Sequence, residues 1–309
     1  MSAIKQYLDK MRDNAAHLSM SGLRQLSDLS RPELQELKEV WPSLETGRRR
    51  QIVRAMVELA EDNVELDFNR TFMACIEDPD EQVRATAVEG LMEDTEVSTS
   101  EMLLRLLATD PAPDVRAAAA TSLGHFVYLI ELEKLEDKAG EKIVGGLRKA
   151  TEDESPEVQR RAVEAIGYLS KDWVAQIIDK AYHHADAKMR ASAVFAMGRN
   201  CDGRWLPMIL EEMRSDDPEM RYEAARAAGE VEDKRAAPQL VALTRDVDAE
   251  VRLAAVDALG QVGGKLAKTT LEKLAESGSE EMREAAEAAL DELMFDENPL
   301  GFGGHFGAE

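Results

Sequence analysis

Apolar positions in this chain recur on a helical period, and that pattern itself recurs on a longer one. Val83, Val115, Val158, Met189, Met220, Val251 and Met282 fall into register, and four residues after each stands an alanine: Ala87, Ala119, Ala162, Ala193, Ala224, Ala255 and Ala286. Eight residues after each the chain is apolar again, at Leu91, Leu123, Ile166, Met197, Ala228, Leu259 and Leu290. Steps of four and eight place the three positions on one helical face. The last five copies are 31 residues apart. A period in this range marks stacked supersecondary units, each too small to bury its apolar face alone.

Residues 217–229 show the unit most clearly. Asp217 is an N-cap, Pro218 takes the first helical position, and Glu219 sits in the first turn, where a carboxylate favours the helix dipole. Met220, Ala224 and Ala228 line the buried face, and Gly229 is expected to stop the helix in a left-handed turn. The cap recurs as Asp80, Ser155, Asp186, Asp248 and Ser279, with Ala112 the exception, and the stop as Gly124, Gly167, Gly198 and Gly260. Between each stop and the next cap lies a second apolar segment, at 205–213, 236–243 and 266–274, which predicts a shorter partner helix. Each unit is therefore a helical hairpin. The predicted fold is all-α, a right-handed α-solenoid (superhelix) of about seven to eight hairpins. Segments 46–60 and 66–76 read as a divergent further hairpin, and Ser30 with Glu33 forms a capping box that starts a helix over 31–41. The expected organisation is an N-terminal helical cap at 1–43, the repeats at 44–293, and a disordered tail at 294–309. In the tail, Phe295, Leu300, Phe302 and Phe306 are spread among glycines.

The motifs D-P-E-M-R-x-x-A-A-x-A-A-G at 217–229 and D-A-E-V-R-L-A-A-V-D-A-L-G at 248–260 resemble the HEAT-repeat superfamily. Within it they are most similar to the short HEAT-like repeats of phycobilisome (PBS) lyases. The resemblance spans roughly residues 45–293 and implies an armadillo-like helical array. It says little about activity, because that superfamily hosts scaffolds, chromophore lyases and hydroxylases.

One polar residue repeats with the apolar ones. Arg84, Arg116, Arg190, Arg221, Arg252 and Arg283 follow the aligned Val or Met, with Gln159 in the remaining copy. Such an arginine lies at the edge of the buried face. Recurrence in nearly every unit points to a structural ladder tying one unit to the next acidic turn, as the resemblance also implies. The positions two, three and six after the aligned residue are expected to face away from the core, on the helix that lines the concave side in HEAT-like arrays. There the copies diverge, offering Arg160, Glu164, Phe195, Tyr222 and Arg226 in the middle of the chain against mainly Ala and Thr, such as Ala85, in the first two copies. Tyr and Arg are effective protein-binding anchors. An insertion of 12 residues in the third unit, carrying Phe126 and Tyr128 ahead of a charged stretch, is read either as a contact-bearing loop or as a longer helix with a charged tip.

A net charge of −23 disfavours nucleic acid, whose phosphates require clustered Lys and Arg. Aromatics are only 5%, so Ala, Leu, Val and Met must carry the packing. Cys75 and Cys201 lie in different repeats beside apolar residues and are expected to be buried free thiols, consistent with a cytoplasmic protein. No stretch approaches the roughly 20 apolar residues of a membrane span, and the N-terminus lacks a signal-peptide core. None of the five histidines precedes Glu, so the His-Glu dyads by which deoxyhypusine-hydroxylase relatives hold iron are missing. His183 and His184 with Asp186 offer a weak metal-like grouping, with Asp186 already committed as a cap. The resulting expectation is a monomeric, non-enzymatic scaffold without cofactor or metal. It binds a protein or peptide on its concave face and neither nucleic acid nor membrane. A phycobilin-lyase-like chaperone for a tetrapyrrole is the alternative, and a metal-dependent oxidoreductase a remote one.

Overall fold

The computed structural model describes residues 3–13 and 17–297, and among these it holds eighteen α-helices, a few short 3-10 turns and no strand. The chain divides into two compact units, residues 1–166 and 167–309. The first carries α1 (Ala3–Met11), α2 (Met20–Leu23), α3 (Arg31–Val40), α4 (Thr46–Asp62), α5 (Asn69–Cys75), α6 (Glu81–Glu89), α7 (Val97–Thr109), α8 (Pro113–Glu131), α9 (Asp137–Ala150) and α10 (Pro156–Ile166). The second carries α11 (Asp172–Tyr182), α12 (Ala187–Asn200), α13 (Leu206–Glu212), α14 (Pro218–Val231), α15 (Ala237–Leu243), α16 (Ala249–Val262), α17 (Gly264–Ser277) and α18 (Glu280–Glu297).

Within each unit the hairpins stack in two layers. In the first unit α4, α6, α8 and α10 pack side by side in chain order, with α7 and α9 adjacent in the other layer. In the second unit α12, α14, α16 and α18 form one layer, and α15 and α17 neighbour each other in the other. This is the α-solenoid principle of repeated helical hairpins. Every aligned Val or Met, its alanine four residues on and the apolar residue eight on is buried. The predicted helix starts also hold. Asp80, Asp186, Asp217 and Asp248 accept hydrogen bonds from the N–H groups of Val83, Lys188, Glu219 and Glu250, whereas Ala112 offers no side-chain cap. The Ser30–Glu33 capping box opens α3. Residues 294–297, expected as the start of the tail, instead complete α18, and 298–309 lie outside the described residues.

The glycines do not do what the sequence suggested. Helices α8, α12, α14 and α16 run straight through Gly124, Gly198, Gly229 and Gly260. Among the described glycines only Gly263 and Gly264 have positive φ, and α12 and α14 end on Cys201 and Glu232 in left-handed geometry. The helical glycines serve close approach. A Cβ on Gly198 would lie 2.8 Å from the Cα of Ala227, and one on Gly229 would lie 3.0 Å from the Cα of Ala258. One on Gly260 would lie 3.0 Å from the Cβ of Ala289. The glycine of each repeat thus receives an alanine of the next, 29 residues on. Ala85 is likewise not exposed, being 9% accessible. A helix flanked by the equivalent helices before and after it is covered on three sides, so the position two after the aligned residue meets a neighbour.

Three of the six repeated arginines, Arg84, Arg116 and Arg221, span from their own turn to the next with a defined geometry. Arg84 Nη1 donates to the Asp78 and Pro79 carbonyls of its own turn at 2.9 and 3.2 Å. Its Nε and Nη2 grip the Asp110 carboxylate of the next turn at 2.9 and 2.8 Å. Arg116 does the same with Asp110 O and with Asp153 at 3.1 and 2.9 Å. Arg221 repeats it with Ser215 O and with Asp246 at 2.7 and 2.8 Å. The ladder also extends upstream of the recognised copies, where Arg49 donates to Leu44 O and pairs with Asp78 at 2.8 Å. Each acidic residue has a second task, since Asp78, Asp110, Asp153 and Asp246 accept the N–H two residues on and so shape the turn. His184 and Ser215 occupy the same turn position and accept the same N–H, from Asp186 and Asp217. Neither offers a carboxylate to a guanidinium. Arg190 and Arg252 therefore donate to the carbonyls of their own turns, with Ser215 and Ser277 where the next Asp would stand. Arg283 on α18 is exposed.

Two predictions follow from this packing. Gly198→Ala should lower the denaturant midpoint despite its better helix propensity, because overpacking at a backbone contact costs about 1–3 kcal/mol. Gly145→Ala, where the added Cβ meets nothing within 4 Å, should raise stability by about 0.5–1 kcal/mol. Equal responses at the two sites would remove the close-approach role. Ser215→Asp should supply Arg190 with its missing carboxylate and stabilise by about 0.5–1 kcal/mol, a gain that vanishes in the Arg190→Ala background. Hydrogen bonds from Arg221 hold the equivalent Asp246 below the usual carboxylate range, with burial opposing. A carboxylate lowered in this way contributes stability above its unfolded pKa near 3.9 and loses it as pH falls through the folded value. The Ser215→Asp gain should therefore be full at pH 7 and absent in acid.

Candidate functional site

In the second unit the helices of one layer carry an ordered group of cations and rings. Phe195 and Arg199 project from α12 one turn apart, and Tyr222, Glu223, Arg226 and Glu230 project from α14 at the same spacing. The Arg226 guanidinium carbon lies 5.8 Å from the ring centroids of both Phe195 and Tyr222. That of Arg199 lies 5.1 Å from Phe195 and 5.4 Å from Tyr168. Two guanidinium groups thus lie within cation–π range of the Phe195 ring. Each desolvated cation–π contact is worth about 0.5–2 kcal/mol.

Carboxylates close the group. Glu230 pairs with Arg199 at 3.1 Å and more loosely with Arg226 at 3.9 Å, and Arg226 reaches Glu223 at 3.9 Å. Gly198 makes room for Glu230, whose Oε2 lies 2.7 Å from where a Gly198 Cβ would stand. Burial raises the Glu230 carboxyl above its ordinary range, against the opposing pull of Arg199 and Arg226. The Nε of Arg199 is buried with no hydrogen-bond partner among the described residues. The group therefore combines flat apolar faces with one close and two longer ion pairs.

Phe195, Tyr222 and Arg226 do lie side by side, as their positions in the repeat implied. They are not free-standing, however: all are half-buried and engaged with one another. The expectation that these positions face away from the core is corrected to half-burial, because helices packed on both sides leave only a narrow strip of α12 and α14 open. Arg160 and Glu164 belong to the first unit. There Arg160 pairs with Glu157 at 2.7 Å and lies 4.0 Å from Glu164, within α10. Phe126 is wholly buried and belongs to the core, whereas Tyr128 is 45% exposed. The insertion that carries both extends α8 to Glu131 and lengthens the next helix, α9, with a short charged turn between. Arg199, Glu230 and Tyr168 were not foreseen. Arg199 and Glu230 follow Phe195 and Arg226 by four residues, so the same-face helical rule applied to the two candidates would have found them.

The remaining polar candidates have other employment. His184 Nδ1 accepts the Asp186 N–H and Asp186 caps α12, so both are committed to that turn. Cys75 is buried, and burial raises its thiol pKa. Cys201, expected to be buried, is exposed, because the left-handed turn that ends α12 carries it out of the packed face. Among the described residues no three His, Cys, Asp or Glu are grouped to hold a metal, and no helix is long and apolar enough to cross a membrane.

A family model of HEAT repeats matches residues 34–124, 69–144 and 206–291. Among solved structures, the complex of CpcE and CpcF of phycocyanin lyase from Nostoc sp. PCC7120 is similar, with a TM-score of 0.53 and 16% identity over 91% of this chain and 97% of that one. The Escherichia coli protein YibA shows a TM-score of 0.49 and 19% identity over 91% and 99%. Human deoxyhypusine hydroxylase shows 0.34 and 16% over 94% and 96%. At these identities the likeness is one of fold alone. A search of curated proteins found no match. The family match spans more than half of the chain and coincides with the repeated Ala face, the capped helix starts and the Arg–Asp ladder, and the chain belongs to the HEAT-repeat family.

Proposed function

We propose that this protein is a non-enzymatic interaction scaffold that binds another protein or a peptide through the strip of α12 and α14 bearing Phe195, Arg199, Tyr222 and Arg226. The observation that carries the reading is the gathering of two guanidinium groups within cation–π range of Phe195. The repeat needs neither aromatic nor cation there, since the equivalent positions in α6 and α8 are Glu89 and Thr121. Tyr and Arg, rigid or pre-organised and partly desolvated, are the residue types that dominate binding energy at protein interfaces. Stacking holds both arginines in place before a partner arrives, which lowers the ordering cost of association. Assembly of CpcE with CpcF in a structure of similar fold supports a protein partner as a use of such hairpins.

The test is affinity capture from native lysate with quantitative identification, comparing wild type with Tyr222→Ala and Arg226→Glu. A partner retained by wild type should be depleted at least tenfold by either variant, since interface anchors typically contribute 2 kcal/mol or more, roughly. The control variant Met92→Ser, at an exposed site in the first unit, should retain it. Partners held equally by all four proteins would place recognition elsewhere. Half-burial implies that the combined Phe195, Tyr222 and Arg226 alanine variant is also less stable than wild type, so the single variants carry the test.

A further inference from the structure

Two consecutive buried arginines on α4 have opposite fortunes. Arg48 and Arg49 are each 7% exposed. Arg49 is a rung of the ladder, held by Leu44 O and Asp78. Arg48 points about 100° away around the helix, into a cavity of about 320 Å³ that it shares with Tyr7, Lys10, Met11 and Gln25. There its Nε is buried without a hydrogen-bond partner, and so is the hydroxyl of Tyr7, a residue only 8% exposed. Among the described residues no carboxylate pairs with Arg48 and no Asp or Glu lines the cavity, in a chain with 61 acidic residues. The nearest acid on α1, Asp9, lies beside Arg12 at 3.7 Å on the exposed side.

The Nε of Arg48 is shielded while its Nη groups are left to the solvent of the cavity, and proteins retain a cation held so far from bulk water with no counter-charge where something supplies the charge. The cavity offers one buried cation, a second at Lys10, and a phenol whose proton has no acceptor. Its size corresponds to about ten waters at roughly 30 Å³ each, and it lies within the range of small-molecule sites. We propose that this cavity is a binding site for a small organic oxyanion, a carboxylate or a phosphate, held by the Arg48 guanidinium and the Tyr7 hydroxyl with Lys10 at the mouth. Met11 provides the apolar wall against which the rest of such a molecule would rest. This site lies wholly in the first unit and is independent of the partner surface on the second.

Thermal melts of the full chain in inorganic phosphate, in succinate, and in chloride at matched ionic strength test the proposal. A saturable rise in melting temperature is expected with phosphate or succinate and not with chloride, following the stabilisation of a folded state by its ligand. The anion that produces the rise identifies the source of the oxyanion. Arg48→Met should abolish the rise and leave the anion-free melting temperature unchanged or higher, because no unpaired charge then remains buried. Tyr7→Phe preserves the ring and should weaken half-saturation about tenfold, the value of a hydrogen bond to a charged group. No rise beyond that of chloride in either anion would overturn the site, as would an equal rise in Arg48→Met. If Arg48→Met fails to fold, an undiminished anion response in Tyr7→Phe would overturn it.

Discussion

The spacing between equivalent helices of successive repeats governs most of what this molecule does. Gly198 against Ala227, Gly229 against Ala258 and Gly260 against Ala289 bring backbones to a distance that no larger pair would permit. A layer made of alanines buries little area per residue, so its stabilisation comes from many close contacts rather than a few large ones. The same spacing sets the reach of the arginine ladder. Arg84, Arg116 and Arg221 each span from their own turn carbonyls to the next turn's carboxylate at hydrogen-bond distance on both sides. Were the helices one methyl group further apart, one end of each rung would open.

Fixed spacing also turns the repeat into a ruler for side chains that are not part of it. Phe195 and Arg226 stand at the same position of neighbouring repeats, as do Arg199 and Glu230, and so they meet at regular offsets. Where the repeat places Glu89 or Thr121, this layer is ordinary solvated surface. Where it places a ring and a guanidinium in alternation, the offsets generate a stacked cluster without any change in backbone. Departures from the repeat, rather than the repeat, set this cluster apart.

Most of the architecture was legible because each signal appears many times. The buried face, the capping aspartates and the short partner helices α13 and α15 followed from residues such as Met220, Ala224 and Asp217, whereas α17 is as long as α16. The glycines were misread because a helix stop and a helix crossing require the same residue for different reasons, one for positive φ and the other for a missing Cβ. Only the neighbouring helix distinguishes them. Phe126 and Ala85 failed for a related cause: a helical wheel knows the core but not the flanking repeats, which cover positions that a lone hairpin would expose. The side-by-side placement of Phe195, Tyr222 and Arg226 was legible from the period. Their engagement with Arg199 and Glu230 depended on partner geometry across two helices. Arg48 gave no sequence signal at all, since it differs from Arg49 only in what surrounds it.

The ladder is continuous through Asp78, Asp110 and Asp153 in the first unit but incomplete at Ser215 in the second. A repeat array behaves as a one-dimensional chain of locally stable elements joined by nearest-neighbour coupling. Its cooperativity is set by the weakest of those couplings rather than by their average. With Ser215 and Ser277 offering no carboxylate to Arg190 and Arg252, the junction between the α11–α12 and α13–α14 hairpins and that between the α15–α16 and α17–α18 hairpins each lack a rung. The Arg221–Asp246 rung ties α13–α14 more firmly to the hairpin that follows. At the first of these junctions the Arg199–Glu230 ion pair and the Arg226–Phe195 contact tie α12 to α14 instead, so the arginine–aromatic cluster supplies coupling that the ladder leaves out.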